Sequence, residues 1–373
     1  MRYWVFLKEK GAIGRPYLDS FEVWSQVPGR EVSSIIHAAN ELAFFLQTAE
    51  LHDDAEVFYR RTLTRWEDKL GTEYPIVATI LNNLAVLLKN TDRLPEAEPL
   101  LRRALAIDEA ALGLEHPTVA SDLCNLAMLY KEMNRLGEVE PLVRRALAID
   151  EKELSPEHPT VATDLKTLAS LLKETGRLME AEPFLYRALA IEESNLGPEH
   201  PNVVPDLKNL AQFLKETNQL DEAESLLFRA LAINEANLGT GHPSVSADLK
   251  NLAQLLTETN RLREAESLLC RALANDEANL GTEHPEVAAD LNSIAQLLKE
   301  MNRRAEAENL MSRAVMILEA FYHNTGCEHP LYQNYQATLL AIQLSGSNKE
   351  DCKVPLFILI LVTLVFIAWC LFG

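Results

Sequence analysis

The pair His-Pro recurs at His116-Pro117, His158-Pro159, His200-Pro201, His242-Pro243 and His284-Pro285, always 42 residues apart. Tyr74-Pro75 precedes this series at the same step, and His329-Pro330 follows it after a three-residue insertion. Self-similarity at a fixed period of this size marks a repeat array, in which each supersecondary unit buries its apolar face only against its neighbours.

The copy from Pro201 to His242 shows what that unit is. Leu207, Leu210, Ala211 and Leu214 share one face of a first helix. Ala223, Leu226, Leu227, Ala230, Leu231 and Ile233 share a face of a second. Steps of three and four residues define amphipathic helices whose apolar stripes bury one another. Pro201 suits a first helical turn, where its missing N–H costs nothing, and His200 stands at the cap. Pro205 is expected to delay the regular start of that helix by a turn. Asn218 ends it, with Asp92, Asn134, Gly176, Asn260 and Asn302 in the other copies, residue types that tolerate the left-handed conformation. Asp221, Glu222 and Glu224 complement the N-terminal dipole of the second helix, and Gly239 closes it. Glu98 with Arg102 and Glu140 with Arg144 add pairs four residues apart.

The order of large and small residues, Leu207, Leu210, Ala211, Leu214, then Ala223, Leu227 and Ala230, resembles the tetratricopeptide repeat. The second helix runs about two turns beyond the usual 34-residue unit, through Glu235 to Leu238-Gly239. With its HP, NLA, EAE and RALAI blocks, this 42-residue form is similar to the repeats of kinesin light chains and nephrocystin-type proteins. The resemblance implies an all-α, right-handed α-solenoid. It would comprise about seven helix pairs and a capping helix over residues 32–345, the closing half unit holding Tyr332, Leu339, Leu340 and Ile342. The first pair is divergent, with Leu42, Ala43, Leu46, Ala55 and Tyr59, and the seventh carries Arg304 where most copies have Leu.

Residues 1–31 stand outside the period. Tyr3 to Leu7 read as a short strand, and Gly14-Arg15-Pro16-Tyr17 resembles a shortened GYF-type module, a family that binds proline-rich peptides. The alternative is a simple cap that packs aromatics on the first repeat. At the other end, residues 346–353 form a polar linker to VPLFILILVTLVFIAWCLF, Val354 to Phe372, which carries no charge. At about 1.5 Å per residue this run matches the roughly 30 Å apolar core of a bilayer, so one transmembrane helix is expected there. Without a secretory signal at the N-terminus, the repeats are expected to face the cytoplasm, with a single-pass C-terminal anchor.

Several function classes fall away. Asp and Glu outnumber Lys and Arg by 55 to 35, and a formal charge of −20 argues against a nucleic-acid partner. The five cysteines are scattered and form no CxxC pair, which argues against a disulfide framework or a zinc site. No glycine-rich phosphate loop, G-x-S-x-G or H-E-x-x-H is present, so neither an enzyme nor a cofactor is expected. The recurrent histidines lie one per repeat, where capping accounts for them better than a metal does.

That leaves recognition of a protein or peptide on the face of the first helices. Asn83, Asn125, Asn209 and Asn251 occupy one equivalent position, held by Glu41, Thr167 and Ser293 in other copies. The resemblance implies that this asparagine hydrogen-bonds ligand backbone, and a carboxamide offers both donor and acceptor for that. It could instead tie neighbouring first helices together. Lys166, Lys208 and Lys250 form one row beside it, and Lys89, Lys131, Lys173, Lys215 and Lys299 a second. Two basic rows would favour an acidic peptide; alternatively, they solvate the helices and offset Glu174, Glu216 and Glu258. The expected function is a membrane-tethered adaptor that grips a peptide segment of a partner. A kinesin light chain-like cargo adaptor and a self-assembling scaffold are the alternatives, with the oligomeric state open.

Overall fold

The computed structural model describes residues 52–325 and 329–346. Among them are fourteen α-helices and no strands. The chain divides into two compact units, Met1–Pro198 and Glu199–Gly373.

The first unit contains α1 (His52–Leu70), α2 (Pro75–Asn90), α3 (Leu94–Leu112), α4 (Pro117–Glu132), α5 (Leu136–Glu153), α6 (Pro159–Glu174) and α7 (Leu178–Leu196). Helices adjacent in sequence pack on one another throughout. The even-numbered helices are first helices of repeats, and the odd-numbered ones are second helices. One core layer consists of Val119, Ala120 and Leu123 of α4 against Ala146 and Ile149 of α5, with Leu105, Cys124 and Leu142 at its margin.

The second unit contains a 3-10 turn (Pro201–Val203), α8 (Val204–Glu216), α9 (Leu220–Leu238), α10 (Pro243–Glu258), α11 (Leu262–Leu280), α12 (Pro285–Glu300), α13 (Arg304–Thr325) and the closing helix α14 (Tyr332–Gly346). The 3-10 turn stands where the second proline, Pro205, delays the α-helix. Leu207, Leu210, Ala211 and Leu214 are all buried, as are Ala223, Leu227, Ala230, Leu231 and Ile233. Leu226 is only partly covered. On α14, Tyr335 and Ile342 are the buried contacts, whereas Leu340 stays half exposed.

The punctuation follows the chemistry of the turns. His116, His158, His200, His242 and His284 each accept a hydrogen bond at Nδ1 from the backbone N–H two residues on, at 3.1–3.2 Å. Each thereby satisfies one of the donors that a helix start leaves unpaired. At the first-helix C-termini, Asp92, Asn134, Gly176, Asn218, Asn260 and Asn302 all have positive φ, between 57° and 76°. The N–H after each then reaches back to close the helix, as Arg261 N does to Leu256 O at 2.8 Å.

The strand expected at residues 3–7, the GYF-like stretch, the first helix holding Leu42, Ala43 and Leu46, and the apolar run 354–372 lie outside the described residues. Among the described residues no helix is long and apolar enough to cross a membrane.

Candidate functional site

Each first helix presents one polar face to solvent. In the second unit it carries Asn209, Gln212 and Glu216 on α8, Asn251, Gln254 and Glu258 on α10, and Ser293, Gln296 and Glu300 on α12, all exposed. In the first unit Asn83 on α2, Asn125 on α4 and Thr167 on α6 are half-buried at the corresponding position.

The local bonding separates these groups. Thr167 donates to Thr163 O and Ser293 to Ala289 O, both at 3.0 Å, so these hydroxyls are satisfied within their own helices. Gln212 donates to Glu216 at 3.0 Å and Gln254 to Glu258 at 3.2 Å. By contrast, the side chains of Asn125, Asn209 and Asn251 make no hydrogen bond among the described residues. At these three positions the asparagine does not tie neighbouring first helices together. Its donor and acceptor both remain available.

Most lysines of the two rows pair with carboxylates of neighbouring helices. Lys89 pairs with Glu132 at 3.0 Å, Lys131 with Glu174 at 2.7 Å and Lys215 with Glu258 at 3.3 Å, each bridging one first helix to the next. Lys173 and Lys299 are exposed near the ends of theirs. In the other row, Lys166 pairs with Glu192 at 3.3 Å, Lys208 with Asp248, and Lys250 with both Asp276 and Asp290. These ion pairs favour the alternative reading, in which the lysines offset neighbouring carboxylates, over a preference for an acidic peptide. Neighbouring carboxylates compensate Lys89, Lys131, Lys166, Lys208, Lys215 and Lys250, and three of those acids, Asp248, Asp276 and Asp290, are almost fully buried.

Those acids belong to a row that the apolar periodicity concealed. Asp122, Asp164, Asp206, Asp248 and Asp290 recur every 42 residues within the buried stripe of the first helices. From the second helices, Asp108, Asp150, Asn234 and Asp276 are buried as well. Lys250 is desolvated, which alone would lower its pKa, yet its bonds to Asp276 and Asp290 outweigh that and raise it. An Asp-Leu pair repeated strictly every 42 residues is the signal that could have revealed this row.

A further set of contacts lies at the second helices. Arg135 reaches Glu98 at 2.7 Å and Arg177 reaches Glu140 at 2.6 Å in the first unit. Arg261 and Glu224, with Arg303 and Glu266, repeat the arrangement at 2.6 Å in the second. Among the described residues no group of three or more His, Cys, Asp or Glu side chains is arranged to hold a metal.

Comparison with known proteins agrees with this architecture. The family model described as tetratricopeptide repeat matches residues 34–109, 77–152, 159–236 and 206–278. A comparison with curated proteins finds no match. Among solved structures, BtubC (BKLC) from P. vanneervenii is 23% identical with a TM-score of 0.51, covering 61% of this chain and 91% of its own. The C-terminal part of a TPR repeat-containing protein from Cytophaga hutchinsonii is 13% identical with a TM-score of 0.52, covering 74% of this chain and 95% of its own. The nearly identical TPR-like repeats of a kinesin light chain candidate from Podosopora anserina are 29% identical with a TM-score of 0.48, covering 54% of this chain and 96% of their own. With the family model spanning well over half of its length, the chain belongs to the tetratricopeptide repeat family.

Proposed function

We propose that this protein is a membrane-tethered adaptor that holds an extended segment of a partner protein against the exposed faces of its first helices. The observation that carries this reading is the unengaged carboxamide of Asn125, Asn209 and Asn251 on faces whose other polar groups are satisfied internally. A peptide backbone presents alternating N–H and C=O groups, and a side-chain amide meets both whatever the partner's side chains are. Because most of the lysines are paired with carboxylates, the segment is recognised mainly through its main chain rather than by negative charge. The uncharged run Val354 to Phe372 supplies the tether, with the repeats on the cytoplasmic side.

Proximity labelling from the full chain tests this reading. Asn209→Ala together with Asn251→Ala should deplete a defined set of labelled proteins while leaving the helical content unchanged. An unaltered labelled set in that variant would overturn it.

A further inference from the structure

The buried acidic row is not built alike in the two units. In the first, Asp108 of α3 lies against Asp122 of α4, and Asp150 of α5 against Asp164 of α6. All four are at most 4% exposed. Asn82 of α2 donates to Asp122, and the Cys124 thiol of α4 to Asp164 at 3.4 Å. No lysine or arginine forms an ion pair with any of the four among the described residues. In the second unit the position of Asn82 and Cys124 is held by Lys208 and Lys250, and each places its ammonium on the buried acid. There Asp248 faces Asn234, an uncharged donor, and the Asp276/Asp290 pair is bridged by Lys250.

We propose that the carboxyl pairs Asp108/Asp122 and Asp150/Asp164 make the packing of α3 on α4 and of α5 on α6 pH-sensitive, a property that the lysines withhold from the second unit. Two carboxyls buried together cannot both ionise without stranding like charges in a medium of low polarity. One proton placed between them turns an acceptor into a donor and relieves both defects. Asp108 Oδ1, Asp122 Oδ2 and Asp164 Oδ2 are buried and accept no hydrogen bond. The same holds for Asp290 Oδ2 in the second unit, so it is the lysine and not the orphaned oxygen that distinguishes the two units.

The surrounding charges do not supply a counterion. Near the Asp108/Asp122 pair, Glu109 of α3 adds negative charge and is engaged by Arg145 of α5. Near Asp150/Asp164, Glu151 of α5 adds negative charge and is engaged by Arg187 of α7. His158, in the turn before α6, acts on Asp150 in the opposite direction. Burial first, and then the facing Asp, push Asp122 and Asp164 each up to about 7, with Asn82 and Cys124 opposing. Burial raises Asp108 and Asp150 too. In the second unit Asp290 is raised by burial, against Lys250, to about 6; Asp276, though also desolvated, is held low by the same lysine.

The direction follows from linkage. A carboxyl whose folded pKa lies above its unfolded value stabilises the fold fully below the unfolded value. That contribution is lost as pH rises through the folded one. For the first unit the loss continues to about pH 7, whereas for the Asp276/Asp290 pair it is over near pH 6. Between pH 6 and pH 8 the first unit therefore loosens much more than the second. The first-helix faces carrying Asn83 and Asn125 loosen with it.

Hydrogen exchange of the full chain, expressed as protection factors corrected for intrinsic rates, reads this directly. Protection in α3 to α6 should fall by about tenfold per pair between pH 6 and pH 8, as one proton titrating at about 7 requires, while α10 to α12 change by no more than about twofold. Asp122→Asn with Asp164→Asn should abolish the dependence. So should Asn82→Lys with Cys124→Lys, which copies the second unit and decides the matter should the first variant fail to fold. Equal protection in α3 to α6 of the natural chain at both pH values would overturn the proposal. An undiminished dependence in either folded variant would do the same.

Discussion

Arg135 Nη1 lies 2.7 Å from Glu98 of the preceding helix pair, while its Nε donates to Glu138 in the first turn of α5, which Arg135 precedes, at the same distance. The guanidinium also stacks 4.1 Å from the centre of the Tyr130 ring, whose hydroxyl donates to Glu98. One side chain thus makes three contacts, of which that to Glu98 joins two repeats. Arg135→Ala should lower the thermal midpoint more than Arg102→Ala, which removes only the contact four residues along one helix and a more distant ring contact. Thermal melts of the two variants followed by circular dichroism make the comparison.

The same clamps set the acid limb of stability. Desolvation alone would raise Glu98, but its hydrogen bonds to Arg135, Arg102 and Tyr130 outweigh this and hold it below the usual carboxylate range. Glu140 is lowered by Arg177 and Arg144. A depressed carboxyl stabilises above its unfolded pKa, and the contribution is lost as pH falls through the folded value. Melts between pH 7 and pH 3 should therefore show stability falling below about pH 4.5, and Glu98→Gln should reduce that fall.

Ser155 adopts φ 113°, at the position where Gly113, Gly197, Gly239 and Gly281 have φ between 85° and 95°. A side chain is strained in that region, whatever space surrounds it. Ser155→Gly should stabilise the first unit by about 1 kcal/mol, read as a higher denaturant midpoint. An unchanged midpoint would show that the turn releases the strain elsewhere.

His242 caps α10 by accepting from Ser244 N at 3.1 Å. His242→Ala should cost about 1 kcal/mol in a denaturant titration, and His242→Asn should restore most of it, because asparagine is itself a strong cap.

Residues 354–373 are proposed to hold the protein on a membrane. Expressed in cells, the full chain should stay in the membrane fraction after alkaline carbonate extraction, and a chain ending at Lys353 should not. Equal retention of both forms would refute the tether.

The repeat, its helix pairs and its turns were legible because each rests on local chemistry: His-Pro at the start, Asn or Gly at the end, and apolar residues three and four apart. The polar face was legible too, since Asn209 and Asn251 occupy one register position. What the lysines do was not, because their partners lie far along the chain. Lys250 meets Asp276 and Asp290, 26 and 40 residues away, and Lys131 meets Glu174. Asp122 and Asp164 were overlooked for a related reason. A single Asp in an amphipathic helix reads as a surface residue until the opposing helix is seen to place a second carboxyl against it.

The clamps and the buried row share one register with the period, and this constrains how such a gene can grow or shrink. Excising one whole copy between Glu98 and Arg177 of the first unit would bring these two residues together as a new clamp, and would set Asn82 opposite Asp164. Every junction would find a chemically matched partner. Whole-copy steps are thereby the changes that this array absorbs inside its clamped repeats, and the three-residue insertion before His329 falls outside the clamps.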